Sequence, residues 1–289
     1  MKITRNEPLK KHTSFRIGGP ANFLFLPQNN EEVKAALQFA QEHKLPITVI
    51  GAGTNLLALD KGFSGVVIKT TGLKSIIAKG SQITVGAGVL LPQLINWCRK
   101  KGLGGIEFLA GIPGTVGGAA VMNAGAWGKG IGNSIEQIIA VNPKGKERIF
   151  EKRELRFGYR RSYLQGSNYL VTEIRLKLKK KNRQQIGQEI NGYILQRKSN
   201  QPLGIPNAGS IFKNPRGNYA GKLIEMAGAK GMRIGDAQIS NKHANFIVNL
   251  GEASALDVIK LMTRVQRLVK EKFKIELEPE LKIMVKSPR

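Results

Sequence analysis

The run Gly111-Ile112-Pro113-Gly114-Thr115-Val116-Gly117-Gly118-Ala119-Ala120, continued by Asn123-Ala124-Gly125-Ala126, constrains the chemistry most. Five glycines with small alanines in one apolar stretch cost conformational entropy that a plain core strand avoids. The compensating gain is close contact between backbone and a large flat or phosphorylated ligand, which favours a cofactor site over a structural loop. A second loop, Gly51-Ala52-Gly53-Thr54-Asn55-Leu56-Leu57, follows an apolar strand pattern. Its glycines would let backbone N–H groups approach a diphosphate. A tight strand-to-turn connection explains the same residues, and Leu56 stands where the usual dinucleotide fingerprint has its third glycine.

Three further groups carry polar chemistry. In Phe157-Gly158-Tyr159-Arg160-Arg161-Ser162, adjacent arginines beside an aromatic suit a carboxylate or phosphate. In so basic a chain they equally suit a solvated surface. In Pro206-Asn207-Ala208-Gly209-Ser210-Ile211-Phe212-Lys213-Asn214-Pro215, a turn would present the Ser210 hydroxyl, with Lys213 and Asn214 as donors. Turn chemistry alone explains Asn207 and Gly209. Alternation along a closing strand would set Glu276, Glu278 and Glu280 on one face, which a solvated face also explains. His243 has no second histidine at metal-ligand spacing, and no zinc cluster, P-loop or Gly-x-Ser-x-Gly elbow is present. The residues by themselves describe a cofactor-binding α+β protein with an anionic ligand.

The elements that must position these groups are legible from periodicity. Residues 22–26, 47–50 (read as buried), 65–68 and 83–85 read as strands, and Val33, Ala36, Leu37 and Ala40 share one helical face behind a cap at Asn30. Helices are expected at 91–101, 184–198 and 221–227, and a strand at 244–248. Ser254 and Asp257 have capping-box spacing ahead of the stripe Val258, Leu261, Met262, Val265, Leu268 and Val269, and 275–281 is expected to close the fold as a strand. Gln201-Pro202 is a plausible boundary. Helical runs are too scarce in 71–150 for a doubly wound dinucleotide fold.

With 289 residues and 41% hydrophobic composition the chain has the makings of a soluble globular protein of two or three domains. No apolar run approaches the roughly 20 residues that span a bilayer, and no apolar segment follows the basic N-terminus, so neither a membrane span nor a secretory leader is expected. The single cysteine, Cys98, excludes an internal disulfide, fits a reducing compartment and reads as a buried small hydrophobe. The net charge of +26 suits nucleic acid, anionic small substrates or neither. Its densest patch, Arg175, Lys177, Lys179, Lys180, Lys181 and Arg183, reads as a strand end and polar loop without a nucleic-acid motif, which favours a solvated surface.

Taken together and in order, Thr13–Gly19, Gly51–Leu57, Gly111–Gly128, Tyr159–Ser162, Asn207–Pro215 and His243–Phe246 closely resemble the UDP-N-acetylenolpyruvoylglucosamine reductase family, nearly end to end. The resemblance implies an α+β fold: the FAD-binding fold of vanillyl-alcohol oxidase-type enzymes in two subdomains, 1–70 and 71–198, plus a C-terminal substrate domain, 199–289. It implies FAD held by Gly51, Ala52, Gly53, Thr54, Asn55, Leu56, Gly111, Pro113, Gly114, Thr115, Gly117, Gly118, Asn123, Ala124 and Gly125. NADPH is the implied reductant, and the enolpyruvyl ether of a UDP-amino sugar the implied hydride acceptor. Arg160 matches the arginine that stabilises the developing enolate. Glu280 matches a glutamate that assists there in protonated form, and Ser210 the serine that protonates the adjoining carbon. Arg197, Lys213, Asn214, His243 and Asn245 are the implied substrate contacts. The short span between Ser162 and Asn207 is similar to the family's compact form, which lacks a tyrosine-bearing loop. Two features depart from the family pattern, the high charge and Asp236 beside Gly235. A cytoplasmic monomer with no nucleic-acid or membrane partner is expected. The competing classes are another flavoenzyme of this fold, such as an oxidase, and a nucleic-acid-binding protein.

Overall fold

The computed structural model describes residues 1–284. The chain forms two compact units, one of Met1–Arg5, Phe23–Ala52 and Gly65–Arg197, the other of Asn6–Asn22, Gly53–Ser64 and the residues from Lys198 onward.

In the first unit, Ile47–Ile50 lies parallel to the strand Phe63–Lys69 in a four-stranded sheet that also holds Lys2–Pro8 and Pro20–Leu26. The helix Asn30–Glu42 (α1) buries Val33, Ala36, Leu37 and Ala40, as their spacing predicts. Its cap is Asn29, not the expected Asn30: the Asn29 side chain accepts from Glu32 N–H three positions on. Ile47–Ile50 is less buried than its apolar run suggests, with Val49 43% exposed. A five-stranded antiparallel sheet follows in the order Glu147–Glu151, Ile135–Val141, Leu170–Lys177, Gln82–Gly86, Ile76–Lys79. The helix Leu91–Lys101 (α2) starts with a proline in its first turn and ends on Gly102 in the left-handed region, with Arg99, Lys100 and Lys101 at its negative end. Leu94, Ile95 and Cys98 line its buried face, and burial pushes the Cys98 thiol up to about 12, leaving no thiolate to react at neutral pH. A short helix, Val116–Met122 (α3), lies inside the glycine-rich stretch, where no helix was expected. Arg183–Asn200 (α4) buries only Ile186 and Arg197.

In the second unit, Asn207–Ser210, Phe246–Asn249, Ala237–Ile239 and Arg233–Ile234 form an antiparallel sheet in that order. The helices Ala220–Met226 (α5) and Ala255–Phe273 (α6) pack with it around a core that includes Phe212, Ile224, Ile247, Leu261 and Val265. The expected capping box is present: Ser254 Oγ accepts from Asp257 N–H while Asp257 accepts from Ser254 N–H. Asp60 adds a second cap, accepting from the N–H groups of Ala255 and Leu256 at the positive helix end. The closing strand expected over 275–281 is absent. That segment holds only an isolated bridge between Pro279 and Phe212, and the strand is Lys282–Met284, parallel to Leu56–Ala58. The pairing stops at the two bonds that flank this bridge, Lys213 N–H to Glu278 O and Glu280 N–H to Ile211 O, and Glu276 and Glu278 turn to ion pairs with Lys270 and Lys213.

Candidate active site

Within the first unit, Gly51 at the start of one glycine-rich loop lies against Thr115 of the other. A Cβ on Gly51 would fall 2.4 Å from Thr115 Oγ1, so only glycine fits there. Thr115 caps α3, its hydroxyl accepting from Gly118 N–H at 3.2 Å. The other early N–H groups of α3 are also used inside the protein: Val116 donates to Val89 O and Gly117 to Ala87 O. This helix start is therefore not the anion-binding end that its glycines suggest. What the stretch offers is a wall without side chains. Gly111 and Gly114 have φ of +78° and +139°, conformations open to glycine. Gly117 is required by packing, since a Cβ there would stand 2.7 Å from Ala87 Cβ. Gly118 is exposed, and a Cβ on it would meet nothing closer than Thr115 Oγ1 at 3.4 Å.

Arg160 sits at the second central position of a two-residue turn closed by mutual backbone hydrogen bonds of Gly158 and Arg161. Its φ is +52°, a conformation that turns ordinarily give to glycine or asparagine. The surroundings hold it there. Arg160 Nη1 donates to Gly125 O at 2.8 Å, and Gln165 Nε2 donates to Arg160 O at 2.9 Å. Asn123 Nδ2 donates to Gly158 O at 2.7 Å, while its Oδ1 accepts from Gly132 N–H. Ser162 Oγ donates to Val121 O at 2.6 Å. The arginine turn is thus laced to the C-terminal end of α3 and to Gly125, which joins the glycine-rich wall and the cation through hydrogen bonds. Asn123 itself has φ of +44° as the helix C-cap.

In the second unit Ser210 ends the strand Asn207–Ser210 opposite Phe246, after a bulge at Gly209 where φ is +78°. Asn207 Oδ1 accepts from Gly209 N–H at 2.9 Å and fixes that turn. Antiparallel to the next residues runs 278–280: Lys213 N–H donates to Glu278 O and Glu280 N–H to Ile211 O at 2.8 Å. The carbonyl of Glu280 accepts from Asn55 Nδ2 at 3.2 Å. This pairing sets Glu280 opposite Ile211, the residue that follows Ser210.

The remaining predicted residues mostly hold this frame. Asn245, 4% exposed, accepts from Phe212 N–H and donates to Phe212 O, spending both ends of its amide on the backbone beside Ser210. His243 Nδ1 accepts from Asn245 N–H at 3.2 Å. Burial lowers the His243 pKa, keeping the ring neutral at neutral pH. Asn214 Oδ1 accepts from Ala220 N–H at the start of α5, and Lys213 Nζ reaches Glu278 Oε1 at 2.5 Å. Arg197, 9% exposed, donates from Nε to Ala110 O at 2.8 Å and lies against Gly111. Burial, and then the nearby Arg160 charge, lower its pKa to about 10, so it stays cationic.

Several residues in these networks escaped sequence reading. Ser14 Oγ donates to Asn207 O at 2.6 Å and Asn249 Nδ2 to Phe15 O at 3.0 Å, so Thr13–Gly19 underlies the serine strand. Nothing local marks such long-range bonds. Asp236, the departure beside Gly235, accepts from Glu252 N–H and pairs with Arg233, a turn device remote from these groups in sequence and in bonding.

A side-chain-free wall fastened to a half-buried cation fits a flavin-binding enzyme of α+β fold. The comparisons agree. Residues 21–150 match an FAD binding domain model, and residues 201–284 match the C-terminal domain of UDP-N-acetylenolpyruvoylglucosamine reductase. The reductase of Desulforamulus reducens is 45% identical over 98% of this chain and 93% of its own length. That of Symbiobacterium thermophilum is 44% identical over 99% and 94%. A crystal structure of the Thermus caldophilus reductase superposes with a TM-score of 0.85 at 40% identity, covering 98% of this chain and 99% of that one. The chain belongs to the UDP-N-acetylenolpyruvoylglucosamine reductase family.

The residues present fit FAD. Gly51, Gly111, Gly114 and Gly117 leave no side chain on the wall, each forced by a close approach or a positive φ. Gly118 is the discriminating position, because packing leaves room for a Cβ there. Gly118→Ala should fold with an unchanged thermal midpoint and lose flavin occupancy, read from the visible absorbance of the purified protein. Gly117→Ala should destabilise whether or not flavin is near, because Ala87 must move. Full flavin occupancy in a folded Gly118→Ala or Gly118→Val protein would place the cofactor elsewhere.

Proposed function

We propose that Arg160, Ser210 and Glu280 carry the chemistry by which this chain reduces the enolpyruvyl group. The reaction is the family's: NADPH-dependent reduction of UDP-N-acetylglucosamine enolpyruvate to UDP-N-acetylmuramate, a step in peptidoglycan precursor synthesis. When bound and reduced by NADPH, FAD would supply hydride chemistry at the terminal vinyl carbon. The residues of the chain govern the charge and the proton. The substrate gains negative charge spread into its carboxylate, and the Arg160 guanidinium is preorganised to meet it. The Ser210 hydroxyl gives its proton to the adjoining carbon. Glu280, in protonated form, adds a hydrogen-bond donor, since an ionised carboxylate would oppose the charge.

The observation that carries this reading is the strained Arg160. A bulky residue at φ +52°, locked by bonds to Gly125 and Gln165, is kept where the structure over-determines it, as functional groups are. The direct test is anaerobic. The purified yellow protein should bleach on adding NADPH, regain its colour with the enolpyruvyl substrate and yield UDP-N-acetylmuramate by mass spectrometry. Rapid reoxidation by oxygen with no reaction of the enolpyruvyl sugar would support an oxidase instead. The division into FAD-binding subdomains 1–70 and 71–198 and a substrate domain 199–289, a monomeric state and a cytoplasmic location belong to the same reading. Among the described residues no helix is long and apolar enough to cross a membrane, and no cluster of metal-ligating side chains occurs.

The basic patch takes no part in this chemistry. Lys179 and Lys180 are exposed, whereas Lys181 pairs with Glu107, itself 5% exposed, and with Glu189. Replacing Lys179 and Lys180 with Gln should leave turnover at saturating substrate and the thermal midpoint nearly unchanged. Lys181→Gln should cost about 1–3 kcal/mol by stripping a buried carboxylate of its cation. A tight, sequence-specific RNA or DNA complex at physiological salt would overturn the assignment of this patch to solvent.

A further inference from the structure

Two left-handed residues stand in one connected piece of structure. Arg160 is one, and Trp127, with φ +51°, is the other. Trp127 and Gly128 are the central residues of a hairpin in which Ala126 pairs with Lys129 and Gly125 with Gly130. Both have positive φ, 51° and 74°, as in a primed two-residue turn, where asparagine and glycine are preferred. An indole at this position is costly to the turn, and at 47% exposure it is not there to fill a core. Its contacts lie on two sides. The Tyr193 ring centroid is 4.5 Å away at an interplanar angle of 36°, and Arg197 Cζ lies 4.8 Å from the indole centroid. Arg197 is buried and donates to Ala110 O at 2.8 Å and Phe108 O at 3.4 Å. The carbonyl that receives Arg160 Nη1 belongs to Gly125, in the same hairpin.

We propose that Trp127 is a positioning residue for Arg160: clamped by Tyr193 and Arg197, it fixes the hairpin whose Gly125 carbonyl aims the catalytic guanidinium. This rests on the reading of Arg160 given above. The Gly125 carbonyl moves with the hairpin tip, because a two-residue turn transmits its orientation through the flanking pair. A small shift of the Gly125 carbonyl misaligns the guanidinium that donates to it, and misplacement by about 1 Å costs up to roughly 100-fold in rate.

Trp127→Gly separates positioning from fold, because glycine suits the turn better than tryptophan does. In the full-length, flavin-loaded protein the thermal midpoint should hold or rise. The Arg160 side-chain N–H signal in a 15N spectrum, assigned by its loss in Arg160→Lys, should broaden. Oxidation of the reduced enzyme by the enolpyruvyl substrate should slow roughly 10–100-fold, while reduction by NADPH keeps its rate. Trp127→Phe should restore most of the loss, and Trp127→Gly should add nothing to an Arg160→Ala background. A sharp Arg160 signal with an unchanged rate in Trp127→Gly overturns the proposal, as does a fully multiplicative double variant. If Arg160→Ala alone leaves the rate intact, the catalytic role of Arg160 falls, and the positioning is then decided by the signal: broadened in Trp127→Gly, it stands, and sharp, it fails.

Discussion

Ser210→Ala should leave reduction of the enzyme by NADPH nearly intact and slow its oxidation by the enolpyruvyl substrate by about 10²–10⁴-fold, the usual loss for a positioned general acid. The proton is needed only after hydride has reached the vinyl carbon, so the first half-reaction has no use for the hydroxyl. The structure makes this variant a clean one. Ser210 is only partly buried, and its backbone is set by Gly209, by the Asn207 side chain and by pairing with Phe246. None of these uses the hydroxyl, so alanine should fold. Ser210→Cys should recover part of the rate, since a thiol also gives a proton. Stopped-flow absorbance follows each half separately. Equal slowing of both would mean damaged flavin binding, and an unchanged second half would exclude Ser210 as the donor.

How the segment after Ser210 comes to pair with 278–280 shows where sequence reading stops. The apolar stripes of α1 and α6, the capping box at Ser254 and the helix Leu91–Lys101 were all legible, because each rests on contacts within a few residues. The glycine-rich stretch was legible as a close-approach surface, but α3 within it was not. Two glycines and two alanines carry no amphipathic signal, and only the Thr115 cap and Asn123 in the left-handed region mark the ends of the helix. The closing strand failed for the opposite reason. Alternation of glutamates was visible, whereas the segment pairs only through the bridge at Pro279 and Glu276 and Glu278 have separate partners. Long-range bonds such as Ser14 to Asn207 and Asn245 to Phe212 leave no local trace at all. Nor does the backbone of Arg160: its residue type pointed to an anion, but nothing in Gly158-Tyr159-Arg160-Arg161 tells which arginine takes the left-handed position.

That position sets up an opposition between stability and activity at a single residue. Arg160→Gly should relieve about 1–2 kcal/mol of left-handed strain. It also gives up the hydrogen bond from the guanidinium to Gly125 O, worth about 1.5–3 kcal/mol for a charged donor. The two nearly cancel, so the thermal midpoint should move by only a few degrees, about what 1 kcal/mol produces in a domain of this size. Arg160→Ala keeps the strain and loses the bond, so it should be the less stable of the pair by about 1 kcal/mol. Catalysis should not follow this order. Both variants remove the charge that meets the developing enolate, and both should slow the enolpyruvyl half-reaction by about 10²–10³-fold, with NADPH reduction retained. Arg160→Lys should fall between them and the native enzyme, because an ammonium supplies charge without the planar fork that spans Gly125 O and a carboxylate together. Thermal melts of the three variants, read beside single-turnover rates, test both halves. A Gly variant that matches the native rate would remove Arg160 from the chemistry. One far less stable than the Ala variant would show that the turn does not impose the conformation from which its strain is argued.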